Sequence, residues 1–266
     1  MKVLIYVNKL KKESENFLSS FCGILSEENV EYKIIDDKHL KKDMSADAVF
    51  VFGGDGTILA LTEFCNKNKI PIIGFNAGKV GFLSEFEQNE AREAVVLLKA
   101  GKLKADPRLS LIVSYGDKEY YALNDAVLQR VYSDDTDGLI ISVSTYFDDI
   151  FVDKIAGDGV IISTPTGSTA YSLSAGGAIL SPGINACIMT PLAAHSLHSR
   201  PIVFSADSTS ALTLNSASAG LFVDGKKIAT LKNGDKISIK KSPDKTVFLR
   251  KEGSDFYLRL DEKLYK

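Results

Sequence analysis

Val49-Phe50-Val51-Phe52 runs directly into Gly53-Gly54-Asp55-Gly56-Thr57. Four apolar residues of that kind read as a buried strand, and three glycines around one aspartate then turn the chain. Glycine opens backbone conformations closed to other residues and lets main-chain N–H groups approach an anion, with a following helix start adding positive dipole. Open α/β sheets bind their ligands just outside the carboxyl ends of the strands. The stretch therefore predicts a parallel sheet whose strand end forms a phosphate cradle with a single carboxylate, Asp55, inside it. A tight turn with a capping aspartate is the simpler alternative, but three glycines around one carboxylate at a strand end favour the cradle.

The surrounding chain agrees with that fold class. Short apolar runs at Val3–Val7, Tyr32–Ile35, Ala48–Phe52 and Ile70–Phe75 alternate with amphipathic stretches at 11–27, 57–67 and 86–100. Strands spaced by helices imply a parallel sheet covered on both faces. From Gly101 onward the texture changes to period-2 runs, with helix only around 167–178. Asp137-Gly138, Asp224-Gly225 and Asn233-Gly234 read as hairpin turns, and Asp148-Asp149 as a turn between strands. The expected class is α/β plus β in two domains. Residues 1–100 form a Rossmann-like α/β nucleotide-binding domain and 101–252 a β-rich, sandwich-like domain, and 253–266 read as a C-terminal helix packed on one of the two.

Composition narrows the function classes. The 266 residues carry 32 Lys+Arg against 34 Asp+Glu, a net charge of −2, which leaves no global basic field for nucleic acid or an anionic membrane. No apolar run approaches the length of a membrane span, and Val3–Val7 is too short for a signal-peptide core. Three widely spaced cysteines without a CxxC argue against disulfides and structural zinc, so a reducing, cytoplasmic setting is expected. His195 and His198 have no third ligand nearby in the sequence, so no protein-built metal site is expected. Asp134, Asp135 and Asp137 read as a solvated loop.

A second constellation runs from Gly157 to Gly177. A strand over 159–162 delivers Ser163, Thr164, Thr166, Ser168, Thr169, Ser172 and Ser174 around a helix start, with Tyr171 supplying a flat aromatic face. So many hydroxyls suit ribose, amide and phosphate contacts; the simpler alternative is a helix with redundant caps and a small-residue face at Ala175-Gly176-Gly177.

Together the two motifs resemble the NAD kinase family of the bacterial type. Gly74-Phe75-Asn76-Ala77-Gly78-Lys79-Val80-Gly81-Phe82-Leu83 is similar to that family's Gly-x-Asn-x-Gly-x-x-Gly-Phe-Leu segment, and Asn124-Asp125 stands at its Asn-Glu pair. Pro191 to Pro201, with His195, Leu197 and Arg200, resembles its Pro-His-containing stretch, and Asp224-Gly225 its late Asp-Gly turn. The resemblance implies transfer of the γ-phosphoryl of ATP, or of polyphosphate, to the 2′-hydroxyl of the adenosine ribose of NAD, with Mg²⁺. It implies Asp55 as general base and Gly53, Gly54, Gly56 and Thr57 as phosphate-binding. For NAD it implies Asp55, Gly56 and Phe82, with Asn124 and Asp125 on ribose or adenine. Asp158 falls on the nicotinamide side, Thr169, Ala170, Tyr171 and Ser174 line the pocket, Ser172 and Leu173 also belong to the NAD-binding set, and Ala193 and His195 lie close by. It further implies that the C-terminal helix over 253–266 returns to the 1–100 domain, a site between the two domains and a homo-oligomer, dimer or tetramer. Departures from the family pattern are Asp125 in place of Glu, Ala156 in place of a basic residue, Ala194 in place of Pro and Lys226 in place of Gln. Lys154 lies two residues from Ala156 and so falls on the same strand face.

Two rivals remain at this level. A lipid or sugar kinase shares the glycine-rich loop but leaves the Thr/Ser/Tyr stretch unexplained. A non-catalytic dinucleotide sensor would retain the pocket without turnover.

Overall fold

The computed structural model describes residues 1–7, 13–40, 43–76, 81–131, 140–216 and 218–264. Ala77–Val80, the acidic loop at 134, 135 and 137, and the Asp137-Gly138 turn lie outside them. The first elements are β1 (Lys2–Val7), α1 (Glu13–Glu27), β2 (Glu31–Ile35), β3 (Ala48–Phe52), α2 (Asp55–Leu59), α3 (Thr62–Asn68), β4 (Ile72–Phe75), α4 (Ala91–Lys99) and β5 (Lys104–Arg108). There follow β6 (Leu111–Tyr115), β7 (Lys118–Ala122), β8 (Asp125–Gln129), β9 (Ile141–Phe147), β10 (Ile150–Gly157) and β11 (Gly159–Ser163). After α5 (Tyr171–Ser174) come β12 (Ala186–Leu192), β13 (Ile202–Ser205), β14 (Ser210–Leu214), β15 (Ser218–Val223), β16 (Lys226–Lys232) and β17 (Lys236–Lys241). The chain closes with β18 (Thr246–Arg250) and α6 (Phe256–Leu264). It divides into two units, Met1–Pro107 with Thr246–Lys266, and Arg108–Lys245.

The first unit is built on one sheet in the order β2-β1-β3-β4-β18-β5, parallel from β2 through β18. All five residues of β3 are buried, as a strand covered on both faces requires. Val3, Ile5, Ala48, Phe50, Phe52, Ile73 and Phe75 turn one face to Phe21 and Leu25 of α1 and to α4. Phe21 packs edge-on against Phe50 and Phe52, and Phe52 stacks on Phe75. On the other face Gly74 lets Ile58 of α2 lie directly against β4. The strand order reverses between β1 and β3, so the ends of those strands form the crevice where such sheets bind ligands.

The second unit is two antiparallel six-stranded sheets, β10-β9-β14-β17-β6-β7 and β13-β12-β11-β8-β15-β16. Leu111, Val143, Leu212 and Ile237 of the first share one core with Leu128, Val160, Ile162, Met189 and Leu221 of the second, which makes the unit a sandwich.

Three expectations change. Thr246–Arg250, placed by its β texture in the second domain, pairs with β4 in the first unit's sheet. Asn233-Gly234 is not a hairpin turn, because β16 and β17 belong to different sheets and the chain crosses between them there. The helix expected around 167–178 is a 3₁₀ turn at Gly167–Thr169 followed by the four-residue α5. Asp224-Gly225 and Asp148-Asp149 do join paired strands, with positive φ at all four residues.

Candidate active site

Asp55 is the first residue of α2, half-buried between the exposed Gly54 and Gly56. Its two oxygens are both engaged: Oδ2 accepts the Phe82 N–H at 2.9 Å and Oδ1 the Leu83 N–H at 3.2 Å. Gly81 is required by this arrangement, since a Cβ there would overlap the Asp55 carboxylate. The donor segment is itself held from behind. Arg250 Nη1 donates to the carbonyls of Leu83 (2.9 Å) and Ser84 (3.2 Å), and the same guanidinium pairs with Glu85 and Asp106, each at 3.2 Å. The carboxylate therefore sits in one orientation beside a glycine loop with open space around Gly54 and Gly56.

In the second unit, Asn124 and Asp125 stand where β8 begins. The N–H groups of Leu123, Asn124 and Asp125 all donate to the Asp224 carboxylate, at 2.8, 2.8 and 3.1 Å. Burial, joined by the charge of Asp224, pushes the Asp125 carboxyl up to about 7. Asp224 rises to about 6 through burial, opposed by its three N–H bonds. Asp224 is thus the charged member of the pair and Asp125 the one that retains a proton near neutrality.

At the other end of β8, Arg130 Nε pairs with Asp158 at 3.0 Å, and the Tyr171 hydroxyl donates to Gln129 at 3.4 Å. Asp158 N–H donates to the Leu192 carbonyl, and His195 N–H to the Ala156 carbonyl. Asp158, Ala193 and His195 are thereby brought to one place, and Lys154 lies on the same face of β10 as Ala156, opposite the buried Ile155. Gln129 and Arg130 are not signalled by the sequence motifs; only the pairing of β8 with β11 brings Gln129 opposite Gly159, beside Asp158.

The hydroxyls separate into two groups. Ser163, Thr164, Ser168 and Ser172 are fully buried. Thr164 Oγ1 donates to the Leu123 carbonyl at 2.6 Å, Ser168 Oγ to the Pro165 carbonyl at 2.7 Å, and Ser172 Oγ pairs with Thr190 Oγ1 at 2.8 Å. These side chains fold the loop and do not face outward, the Ser172 hydroxyl being turned to Thr190. Thr169, Ala170, Tyr171, Leu173 and Ser174 are half-buried or exposed. Among the described residues no cluster of three or more His, Cys, Asp or Glu side chains is arranged to hold a metal, and no helix is long and apolar enough to cross a membrane.

The model of the ATP-NAD kinase N-terminal domain matches residues 3–102, and that of the ATP-NAD kinase C-terminal domain matches 123–251. The NAD kinase of Carboxydothermus hydrogenoformans is 39% identical over 254 residues, covering 93% of this chain and 86% of that one. The NAD kinase of Caldicellulosiruptor saccharolyticus is 33% identical over 264 residues, covering 99% of each. The crystal structure of yeast NADH kinase complexed with NADH matches with a TM-score of 0.89 at 26% identity, over 100% of this chain and 87% of that one. With both of its domains matched and its relatives similar over nearly their full length, the chain belongs to the NAD kinase family, whose enzymes phosphorylate NAD to NADP with ATP.

Proposed function

We propose that Asp55 is the general base of this NAD kinase. The 2′-oxygen of the adenosine ribose attacks the γ-phosphorus of ATP; the new O–P bond forms as the bond to the bridging oxygen of ADP breaks, and Asp55 takes the hydroxyl proton. The observation that carries this reading is the fixing of both Asp55 oxygens by Phe82 and Leu83 N–H groups beside the glycine loop. A carboxylate is a weak base for an alcohol, so its effect is orientation and late proton acceptance, about 10²–10⁴-fold in rate.

Gly53, Gly54, Gly56 and Thr57 would hold the phosphates. Mg²⁺ fits as a passenger on the ATP phosphates, since this ion keeps several waters and needs only one or two protein carboxylates; bound there it would neutralise charge on the transferring group. For NAD, the contacts are Asn124 and Asp125 toward ribose or adenine, with the half-buried or exposed Thr169, Ala170, Tyr171, Leu173 and Ser174 around it and Asp158, Ala193 and His195 at the other end of β8. Phe82 would pack on the base. That spread along one strand suits a dinucleotide. Ser172 acts through its bond to Thr190, positioning α5.

The free thiols of Cys22, Cys65 and Cys187 support a reducing, cytoplasmic setting. Leu197, 84% exposed beside His195, and the exposed Ile150, Phe151 and Val203 support a homo-oligomer, dimer or tetramer.

The test is NADP formation from NAD, ATP and Mg²⁺, read through a dehydrogenase that reduces the product. Wild type turns over, and Asp55→Asn loses at least about 100-fold in kcat. Wild type that binds NAD without forming NADP from ATP or polyphosphate would reverse the reading.

A further inference from the structure

We propose that Asp224 is a positioning residue for dinucleotide binding, its carboxylate fixing the Leu123–Asp125 backbone so that Asn124 and Asp125 present their side chains to the adenosine half of NAD. The proposal rests on the reading above that these two residues touch the dinucleotide.

Every main-chain polar group of the three residues is accounted for. The N–H groups converge on the Asp224 carboxylate, Leu123 on Oδ2 and both Asn124 and Asp125 on Oδ1. The Leu123 carbonyl accepts Thr164 Oγ1; the Asn124 carbonyl accepts Thr164 N–H at 2.9 Å and Ser163 Oγ at 3.1 Å; the Asp125 carbonyl accepts Asp224 N–H at 3.0 Å. Gly167 lies directly against the Asn124 backbone, where a Cβ would overlap the carbonyl.

The side chains are the reverse case. Neither the Asn124 amide nor the Asp125 carboxyl hydrogen-bonds to another described residue, although Asp125 is only 4% exposed. The Asp125 oxygens are not among the enclosed atoms left without a partner in the described residues, so they keep a contact with the surface through which a ligand can reach them. A rigid backbone carrying two polar side chains that bond to no other described residue is a preorganised binding element, because the ordering entropy is already lost before the ligand arrives.

The position of Asp224 favours this role over simple sheet pairing. The β8–β15 ladder stops at Ala126 opposite Val223, and the clamp begins one step beyond it. A two-residue turn with positive φ at Asp224 (46°) and Gly225 (77°) closes β15 onto β16 and carries the carboxylate past the end of the ladder. Three N–H groups on one ionised carboxylate are charge-assisted bonds, stronger than ladder bonds.

The experiment compares Asp224→Asn with Asn124→Ala and Asp125→Ala in the full chain, measuring NAD affinity by calorimetry, kcat, KM for NAD and for ATP, and melting. In Asp224→Asn one acceptor oxygen remains and the amide faces an N–H group. NAD Kd and KM should rise about tenfold, while kcat at saturating NAD and KM for ATP stay within about twofold. A folded Asp224→Asn with unchanged NAD affinity, beside an Asn124→Ala that weakens it, overturns the proposal. So does a variant that only melts lower. If neither Asn124→Ala nor Asp125→Ala changes NAD affinity, the underlying reading fails instead. Amide exchange in the wild type decides the matter should Asp224→Asn not fold. The amides of 123–125 should already be protected without NAD, and protection appearing only with NAD overturns the proposal.

Discussion

Asp55 shows how little of a site is a matter of residue identity alone. Its carboxylate is held by two N–H groups some 27 residues away in sequence, and Gly81 leaves room for it. Gly81→Ala should push the carboxylate off its donors and cut kcat by about tenfold or more, with KM for NAD nearly unchanged; steady-state kinetics check this. Asp125 gives a second prediction. Its carboxyl, raised to about 7 by burial and then by Asp224, binds a proton in the folded chain that the unfolded chain releases near pH 4. Its contribution to stability is therefore full below pH 4 and is lost as pH rises through 7. Asp125→Asn should raise the melting midpoint more at pH 8 than at pH 5, by a few degrees, and equal effects at the two values would contradict this. The hydroxyls around 163–174 mark the limit of the sequence at this scale. Their density signals a polar site, but those that turn inward do so toward partners distant in the chain, the Leu123 carbonyl for Thr164 and Thr190 for Ser172, and those contacts join residues with no local pattern in common.

Elements differ in legibility for a physical reason. Strands buried on one or both faces, such as β3, β4 and β11, show themselves as apolar runs. Several strands that escape the reading lie at sheet edges, where nothing enforces alternation: β5 carries Asp106-Pro107, β16 is rich in lysine, and β10 exposes Ile150 and Phe151; the interior β12, buried on both faces and so without alternation, escapes it too. Yet β10 carries Ala156, and Asp158 follows directly after it. β8 is the element that carries the proposed dinucleotide residues, with Asn124 and Asp125 at its start and Gln129 and Arg130 at its end. Arg130→Ala should release Asp158 and weaken NAD binding about two- to fivefold by calorimetry, a modest effect because the pair is partly exposed. No change in affinity would place Asp158 outside the NAD site.

Over the whole molecule, the two-domain class was legible because alternating helix and strand gives way to continuous β texture near Gly101. The return of β18 to the first sheet was not, since a strand's own pattern does not name its neighbour. What selects it is chemistry: Arg250 reaches Glu85, Asp106 and the Leu83 carbonyl, while Arg259 of α6 pairs with the same Glu85. Glu85→Ala leaves both guanidiniums without that partner, at a cost of about 3–5 kcal/mol, so melting should fall by about ten degrees or more. The loss should also reach kcat, because Arg250 backs the segment that orients Asp55.

In the proposed chemistry the labour is divided: Asp55 moves the proton, and the β8 residues hold NAD. Measuring NAD Kd and kcat side by side in Asp55→Asn and Asn124→Ala tests it most directly. Asp55→Asn should lose at least about 100-fold in kcat with NAD affinity intact, and Asn124→Ala should weaken NAD while largely sparing kcat at saturation. An Asp55→Asn enzyme that keeps its turnover, or that loses NAD binding along with it, would overturn that division.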